Sequence, residues 1–344
     1  MLNTQEYVPN RFGYGKEDKG FHVGEKPWYA IGTQLVDQAP TLEDGIKIAG
    51  LDWTVDLQDL QTEAGVKTQF KGVMRSDNSQ CLGAVTKSYT PLQNTDAFKF
   101  FEPFIESGYA SLDAAGSFRN GRKVWIIAKI NKEDIVVNGN DVVQKYIILS
   151  NSHDGGSAVR VGYTPYRISC QNTLTVAENS KQSQLIRVRH GKNVVEVINS
   201  IQETMNIIDQ TFVTTQEKYR ELAKKEVNKK DLAKYVQAVF SKDSLEKLLL
   251  EDADVPEKEF AQVMKDKEKE EISVQRQKLI ERVEEIFEME YATHKQANAW
   301  TAYNSVNYIL NHERGRNTES AYNSLWFESA SILDRRALAL ANRI

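Results

Sequence analysis

The sequence predicts an α+β fold: an antiparallel β-meander sheet with flanking helices, followed by an all-helical carboxy-terminal region. Three observations carry this. Asn120-Gly121, Asn138-Gly139 and Asp154-Gly155-Gly156, residues that tolerate the positive φ of tight turns, punctuate near-continuous apolar runs between Phe118 and Tyr163. From Val194 onward the apolar residues recur at helical spacing instead. The change of period falls near Gly191, which divides the chain into a mixed α+β domain with a central antiparallel sheet over residues 1–191 and a helical region over residues 192–344.

Thr41 with Asp44 three residues on is a short capping box, and Gly50 suits the position just past the helix it opens. A strand pair is expected at Gln69–Met74 and Leu82–Val85, joined through Arg75–Ser79. Asn94 or Thr95 can cap a helix carrying Phe98, Phe101, Phe104 and Ile105. Pro103 lies inside that pattern and lacks an amide proton, so a kink or restart is expected there. Val124–Ile130, Tyr146–Leu149 and Ser157–Tyr163 are the strands of the meander. They do not alternate polar with apolar, so both faces of the sheet should be covered.

In the second half, Val194, Val197, Ile198, Ile201, Met205, Ile208 and Phe212 form one helical stripe. Asp231–Phe240, then Ser241–Leu250 with Ser241 as cap, are shorter helices. A long charged stretch runs from Pro256 to Tyr291, and its segment Lys265–Glu271 reads as a solvated helix face. Asn298–Leu310 and Glu319–Arg343 form a last helical pair.

Composition narrows the function classes. A chain of 344 residues with 40% hydrophobic and 27% charged residues has the make-up of a globular protein rather than a disordered one. No stretch approaches the roughly 18 consecutive apolar residues of a membrane helix, so no membrane partner is expected. Met1–Asn10 carries no apolar signal-peptide core, and the two cysteines, Cys81 and Cys170, fit a reducing compartment. The expected location is the cytoplasm. The net charge of −4 is unevenly spread: residues 151–200 carry +3, and residues 201–344 carry −4. Such an asymmetry can steer an anionic ligand to the basic part.

Catalytic chemistry finds little purchase. His153 and Asp154 could act as a base and its orienting acid, yet Asp-Gly-Gly makes a tight turn without any catalysis. Cys170 beside Ile168 reads as a buried filler rather than a nucleophile. No two of the five histidines stand at the i, i+4 spacing of a zinc helix, and neither cysteine belongs to a Cys-x-x-Cys pair. No Gly-Lys-Ser/Thr follows a glycine-rich loop. The expectation is no catalytic residue, no metal and no cofactor.

Binding chemistry is better supplied. Arg187, Arg189, His190 and Lys192 fall within six residues, and Arg187-Val188-Arg189 in an extended segment puts both guanidinium groups on one strand face, where they can pair with phosphates. Arg160 and Arg167 flank the neighbouring strand. Near the carboxyl end, Trp300, Tyr303 and Tyr308 precede His312, Arg314 and Arg316. Rings beside cations suit a single strand, whose bases stack while its phosphates pair. The same spacing also fits a semi-polar packing face.

Several words of the sequence occur together: Ala49-Gly50-Leu51-Asp52-Trp53, Cys81-Leu82-Gly83-Ala84-Val85, Tyr89-Thr90-Pro91-Leu92-Gln93-Asn94, Gly121-Arg122-Lys123-Val124-Trp125, Arg167-Ile168-Ser169-Cys170-Gln171-Asn172-Thr173-Leu174 and the block from Trp300 to Arg316. In this order they resemble the phage- and plasmid-borne family built on domain of unknown function 932. Where that family often has Trp-His-Gly-Leu-Gly, this chain has Trp28-Tyr29-Ala30-Ile31-Gly32, so a role for that histidine does not transfer. The resemblance implies a mobile-element setting and transfers no catalytic residue. A strand meander followed by a helix at Arg167–Ala177 is similar, as a fold analogy alone, to the core of single-strand annealing proteins.

The expected function is therefore a non-enzymatic single-stranded nucleic-acid-binding protein of a phage or plasmid, supporting recombination or replication. Arg160, Arg167, Arg187, Arg189 and Lys192, with Arg314 and Arg316, would meet phosphates, and Trp300 and Tyr303 would offer stacking. The alternative is a protein-interaction module, a homo-oligomer or a factor acting on a host defence protein.

Overall fold

The computed structural model describes residues 4–5, 19–24, 33–35, 38–139, 141–167, 172–173, 185–204, 208–241, 273–313 and 329–344. The architecture is α+β, a large, mostly antiparallel sheet followed by a helical region. Its strands are β1 (Thr4–Gln5), β2 (Gly20–Val23), β3 (Thr33–Leu35), β7 (Ala110–Phe118), β8 (Lys123–Ile130), β9 (Ile135–Asn138), β10 (Asp141–Ser152), β11 (Val159–Arg167), β12 (Asn172–Thr173) and β13 (Leu185–Val188). They pair in the order β1-β3-β2-β7-β8-β10-β11-β12, with β9 against β10 and β13 beside β11; β2 and β3 run parallel. A separate three-stranded sheet holds β4 (Val55–Gln61), β5 (Lys67–Arg75) and β6 (Cys81–Thr86).

Local chemistry explains the first elements. Helix α1 (Leu42–Ile48) starts where Thr41 Oγ1 accepts the Asp44 amide at 3.1 Å, and Gly50 follows at φ +63°. Helix α2 (Asn94–Lys99) differs from expectation by one residue. Gln93 is its N-cap and makes no side-chain capping bond. The Asn94 side-chain oxygen, the group a cap would use, is engaged elsewhere, 2.9 Å from His153 Nε2, so Asn94 does not serve as a cap. The Gln93 side chain instead grips the Val55 backbone, accepting from its N–H at 3.0 Å and donating to its C=O at 2.9 Å. Helix α3 (Glu102–Glu106) is the restart that Pro103 imposes in its first turn.

In the large sheet the row Phe21, Ala115, Ile126, Leu149 and Val161 crosses neighbouring strands on one face and is wholly buried. That face receives α1, and Gly45 of α1 comes so near that a Cβ there would lie 2.4 Å from Leu112. The opposite row holds Gly116, Trp125, Ser150, Arg160 and Arg187. Trp125 is fully buried, so the apolar character of these strands reflects burial on both faces.

From Val194 the described elements are helical: α4 (Val194–Thr204), α5 (Ile208–Lys224), α6 (Lys229–Val239), α7 (Val274–His294), α8 (Ala299–Tyr308) continued by a π turn at Ile309–Glu313, and α9 (Ser329–Ala341). The stripe expected from Val194 to Phe212 falls on α4 and α5. Val194, Ile198, Ile201 and Phe212 are buried, whereas Val197 is exposed. Met205, residues 242–250 and the run 265–271 lie outside the described residues. Asn298 caps α8 by accepting the Thr301 amide at 2.9 Å. Every residue of α8 from Ala299 to Asn307 is buried, with α5, α7 and α9 packed around it. Among the contacts that seat the helices on the sheet, Phe212 lies edge-on to Tyr163, Arg220 Nε donates to Val136 O at 2.9 Å, and Trp300 Nε1 donates to Asp141 Oδ2 at 2.7 Å. No helix among the described residues is long and apolar enough to cross a membrane.

Candidate functional site

Three turns meet at one end of the large sheet: residues 119–122 between β7 and β8, residues 153–158 between β10 and β11, and residues 189–193 after β13. Arg160 of β11 stands directly opposite Arg187 of β13. Residues so paired in an antiparallel ladder point to the same side with Cβ atoms roughly 5 Å apart. Arg187, Arg189 and Lys192 are exposed, and Arg160 is half-buried. No acid among the described residues pairs with Arg187, Arg189 or Lys192. The end of the sheet beside β13 is therefore a cationic edge.

The segment Tyr89–Asn94 clamps this end. Tyr89 OH donates to Ser152 O at 2.9 Å, and its ring stacks on His190 with centroids 4.5 Å apart. Thr90 N donates to His190 O at 3.1 Å. Asn151 Nδ2 donates to Leu92 O at 2.9 Å. Asn94 Oδ1 lies 2.9 Å from His153 Nε2; because that oxygen only accepts, Nε2 carries the proton. The last strand of the sheet and the β10–β11 turn are thus tied to one short loop.

His153 and Asp154 do not form an acid–base pair. The His153 ring is fully buried against Trp53, with centroids 5.3 Å apart, and its Nδ1 has no hydrogen-bond partner among the described residues. Burial lowers its pKa to about 3. Asp154 instead closes its own turn, accepting from Gly156 N at 2.8 Å and from Ser152 Oγ. The turn reading of this segment fits the geometry. His190 is also held below its usual pKa by burial, with the backbone of Thr90 and Ser157 opposing. Asp113, half-buried at a bulge in β7, is pushed up to about 7 by burial, with Lys129 opposing. No cluster of three or more metal-ligating side chains occurs among the described residues.

The small sheet props the turns from behind. Arg75 lies with its guanidinium carbon 4.2 Å from the Trp53 ring centre, and Nη1 donates to Asn120 O at 2.7 Å. Its Nε and Nη2 donate to the Asp77 carboxylate at 3.0 and 2.7 Å, which holds that carboxyl below its usual pKa. Gly121, at φ +93°, faces Trp53 so closely that a Cβ would fall 2.6 Å from the indole. Gly83 likewise abuts the Asp154 backbone, where a Cβ would fall 2.7 Å away.

The other expected site residues are placed differently. Trp300 and Tyr303 sit in the helical core at 1% and 0% exposure, bonded to Asp141 and Asp334. Neither ring presents a face to a base, which corrects the stacking role expected of them: the aromatic spacing served core packing. Arg167 ends β11, but its side chain lies outside the described residues, as do Arg314 and Arg316. Cys170 and the segment Trp28–Gly32 also fall outside them. Sequence reasoning passed over Arg119, Arg122 and Lys123, although three cations in five residues around a tight turn was a readable signal.

Residues 81–251 match the model of a family described as Domain of unknown function (DUF932). The match runs from β6 past β13 and contains all three turns. No curated protein and no solved structure matches the chain.

Proposed function

We propose, for a chain that carries a domain of unknown function 932, that it is a non-enzymatic protein of a phage or plasmid that binds single-stranded nucleic acid and supports recombination or replication. The observation that carries this reading is the pairing of Arg160 with Arg187 at the sheet's edge. The pair brings two guanidinium groups to one side of the edge, and the exposed Arg187 has no acid paired with it among the described residues, so phosphates of a polyanion laid along this edge can pair with it. Arg189 and Lys192 continue the exposed charge beyond the strand. Phosphates held by these four cations release counterions, so affinity falls with salt at roughly 0.7 log units per contact and per decade.

Titration of a labelled oligothymidine tests this. Four contacts alone predict a log–log slope of roughly −3, hence roughly 50-fold weaker binding at about 200 mM salt than at about 50 mM. Absence of binding at low salt would overturn the reading.

A second reading, an interaction or oligomeric module acting on a host defence protein, draws on the outer face of the small sheet. Phe70 and Cys81 are exposed there, and Leu60, Met74 and Cys81 close over Gly72. Light scattering coupled to size exclusion separates the two: a monomer that binds the oligonucleotide supports the first reading, and a stable assembly that ignores it supports the second.

A further inference from the structure

Arg119, Arg122 and Lys123 occupy the β7–β8 turn and the first position of β8, at the same end of the sheet as Arg187 and Arg189. Lys123 pairs with Ser152, and Ser150 pairs with Arg160, so Lys123 and Arg160 project from one face. They sit two strands apart, roughly 10 Å laterally. Arg119 is exposed, and Arg122 and Lys123 are half-buried. The turn is bonded to its neighbour, since His153 N donates to Arg122 O at 2.7 Å. Its backbone is unusual: Arg119, Asn120 and Gly121 all have positive φ, at +52°, +59° and +93°. Two of these are not glycine, and the left-handed region costs such residues about 1 kcal/mol or more. Arg75 offsets that cost by holding the Asn120 carbonyl while it is clamped between Trp53 and Asp77.

From this arrangement we infer that the β7–β8 turn is a second phosphate-contacting element, and that Arg75 is its positioning residue, acting through the Asn120 carbonyl. The inference rests on the polyanion reading of the β11–β13 edge and extends it. One strand of nucleic acid runs from Arg187 and Arg189 over the β10–β11 turn to Lys123, Arg122 and Arg119. Arg75 itself does not touch the ligand: its side chain is only 11% exposed and its donors face Asn120 and Asp77. The interface is then a rim of strand ends rather than a single strand edge.

The test is the salt dependence of oligothymidine binding in the full chain. With the turn engaged, the wild-type slope steepens to roughly −5, and the triple variant Arg119→Ala/Arg122→Ala/Lys123→Ala returns it to roughly −3. A control triple, Lys47→Ala/Lys278→Ala/Lys295→Ala, removes equal charge elsewhere and keeps the wild-type slope. Arg75→Met weakens binding in the wild-type background but has no further effect in the turn triple, a non-additivity that general loss of stability would not produce. Arg75→Lys restores part of the loss. If the turn triple and the control triple behave alike, the turn makes no contact and the inference falls while the edge reading stands. If the wild type does not bind at all, both fall. If Arg75→Met weakens both backgrounds equally, Arg75 is not the positioning residue.

Discussion

Arg160 and Arg187 face each other across β11 and β13, two like charges in one cross-strand pair. A sheet selected for stability alone would place an opposite charge or an apolar residue at one of these positions. The pair predicts a trade-off. Arg187→Thr should raise stability by about 0.2–1 kcal/mol, because it removes the like charge opposite Arg160 and places a β-branched residue in the strand. The same change should weaken oligonucleotide binding and lower its salt slope by roughly 0.7. Urea unfolding and a salt titration on one preparation check both halves; a variant that is less stable and binds equally well would contradict them.

Acid should loosen the fold through buried imidazoles. Burial lowers the pKa of His22 to about 4 and of His153 to about 3, against 6.5 in an unfolded chain. Between these values the unfolded state takes up protons that the folded state refuses, so stability is greatest above pH 6.5 and declines as pH falls toward 4. Each proton contributes a slope of roughly 1.4 kcal/mol per pH unit. Asp113 acts in the opposite sense: its raised pKa, about 7 against 3.8, favours the folded state at low pH and is lost as pH rises through 7. His22, His153 and Asp113 together give a net slope between pH 4 and 6 of about one proton, and His190, also lowered by burial, adds to it in the sense of the other histidines. Urea midpoints across this range check it, and His153→Gln should flatten the dependence.

Two glycines should differ sharply in their tolerance of a side chain. Gly121→Ala puts a methyl group against Trp53 at positive φ and should cost about 2–4 kcal/mol. Gly139 also has positive φ, +53°, but nothing lies within 4 Å of its Cβ position, so Gly139→Asn should cost less than about 1 kcal/mol. Thermal melting of both variants decides the comparison.

Trp300→Phe should behave as a core lesion. It removes the indole donor to Asp141 and leaves a buried carboxylate short of a partner, at a cost of about 2–4 kcal/mol. The salt slope of oligonucleotide binding should not change. A lower slope at unchanged stability would restore the stacking role to this ring.

What the sequence revealed was chemistry contained within a few residues. The Thr41 cap, the Pro103 restart and the Asn120-Gly121 turn depend on neighbours three or four positions away, and each is found in place. Strand β7, Ala110–Phe118, was not legible. Its run of alanine, glycine and serine has weak strand propensity, and it is held in the sheet by ladders to β2 and β8 that only the fold supplies. Helix α8 misled for a related reason. Asn304, Ser305 and Asn307 look solvent-facing in sequence, but each bonds a carbonyl four residues back and can be buried. The basic clusters at 119–123 and 187–192 were each readable, but not their placement at one end of the sheet, which only strand register brings about.

Gln93 has a consequence for how copies of the chain meet. Strand β4 borders the small sheet, and its Val55 would offer a free donor and acceptor to any extended peptide nearby. The Gln93 amide, shaped like a peptide unit, occupies both groups. It works as a built-in stopper against runaway cross-chain ladders at this end of the border, where fibrous growth would otherwise find a template.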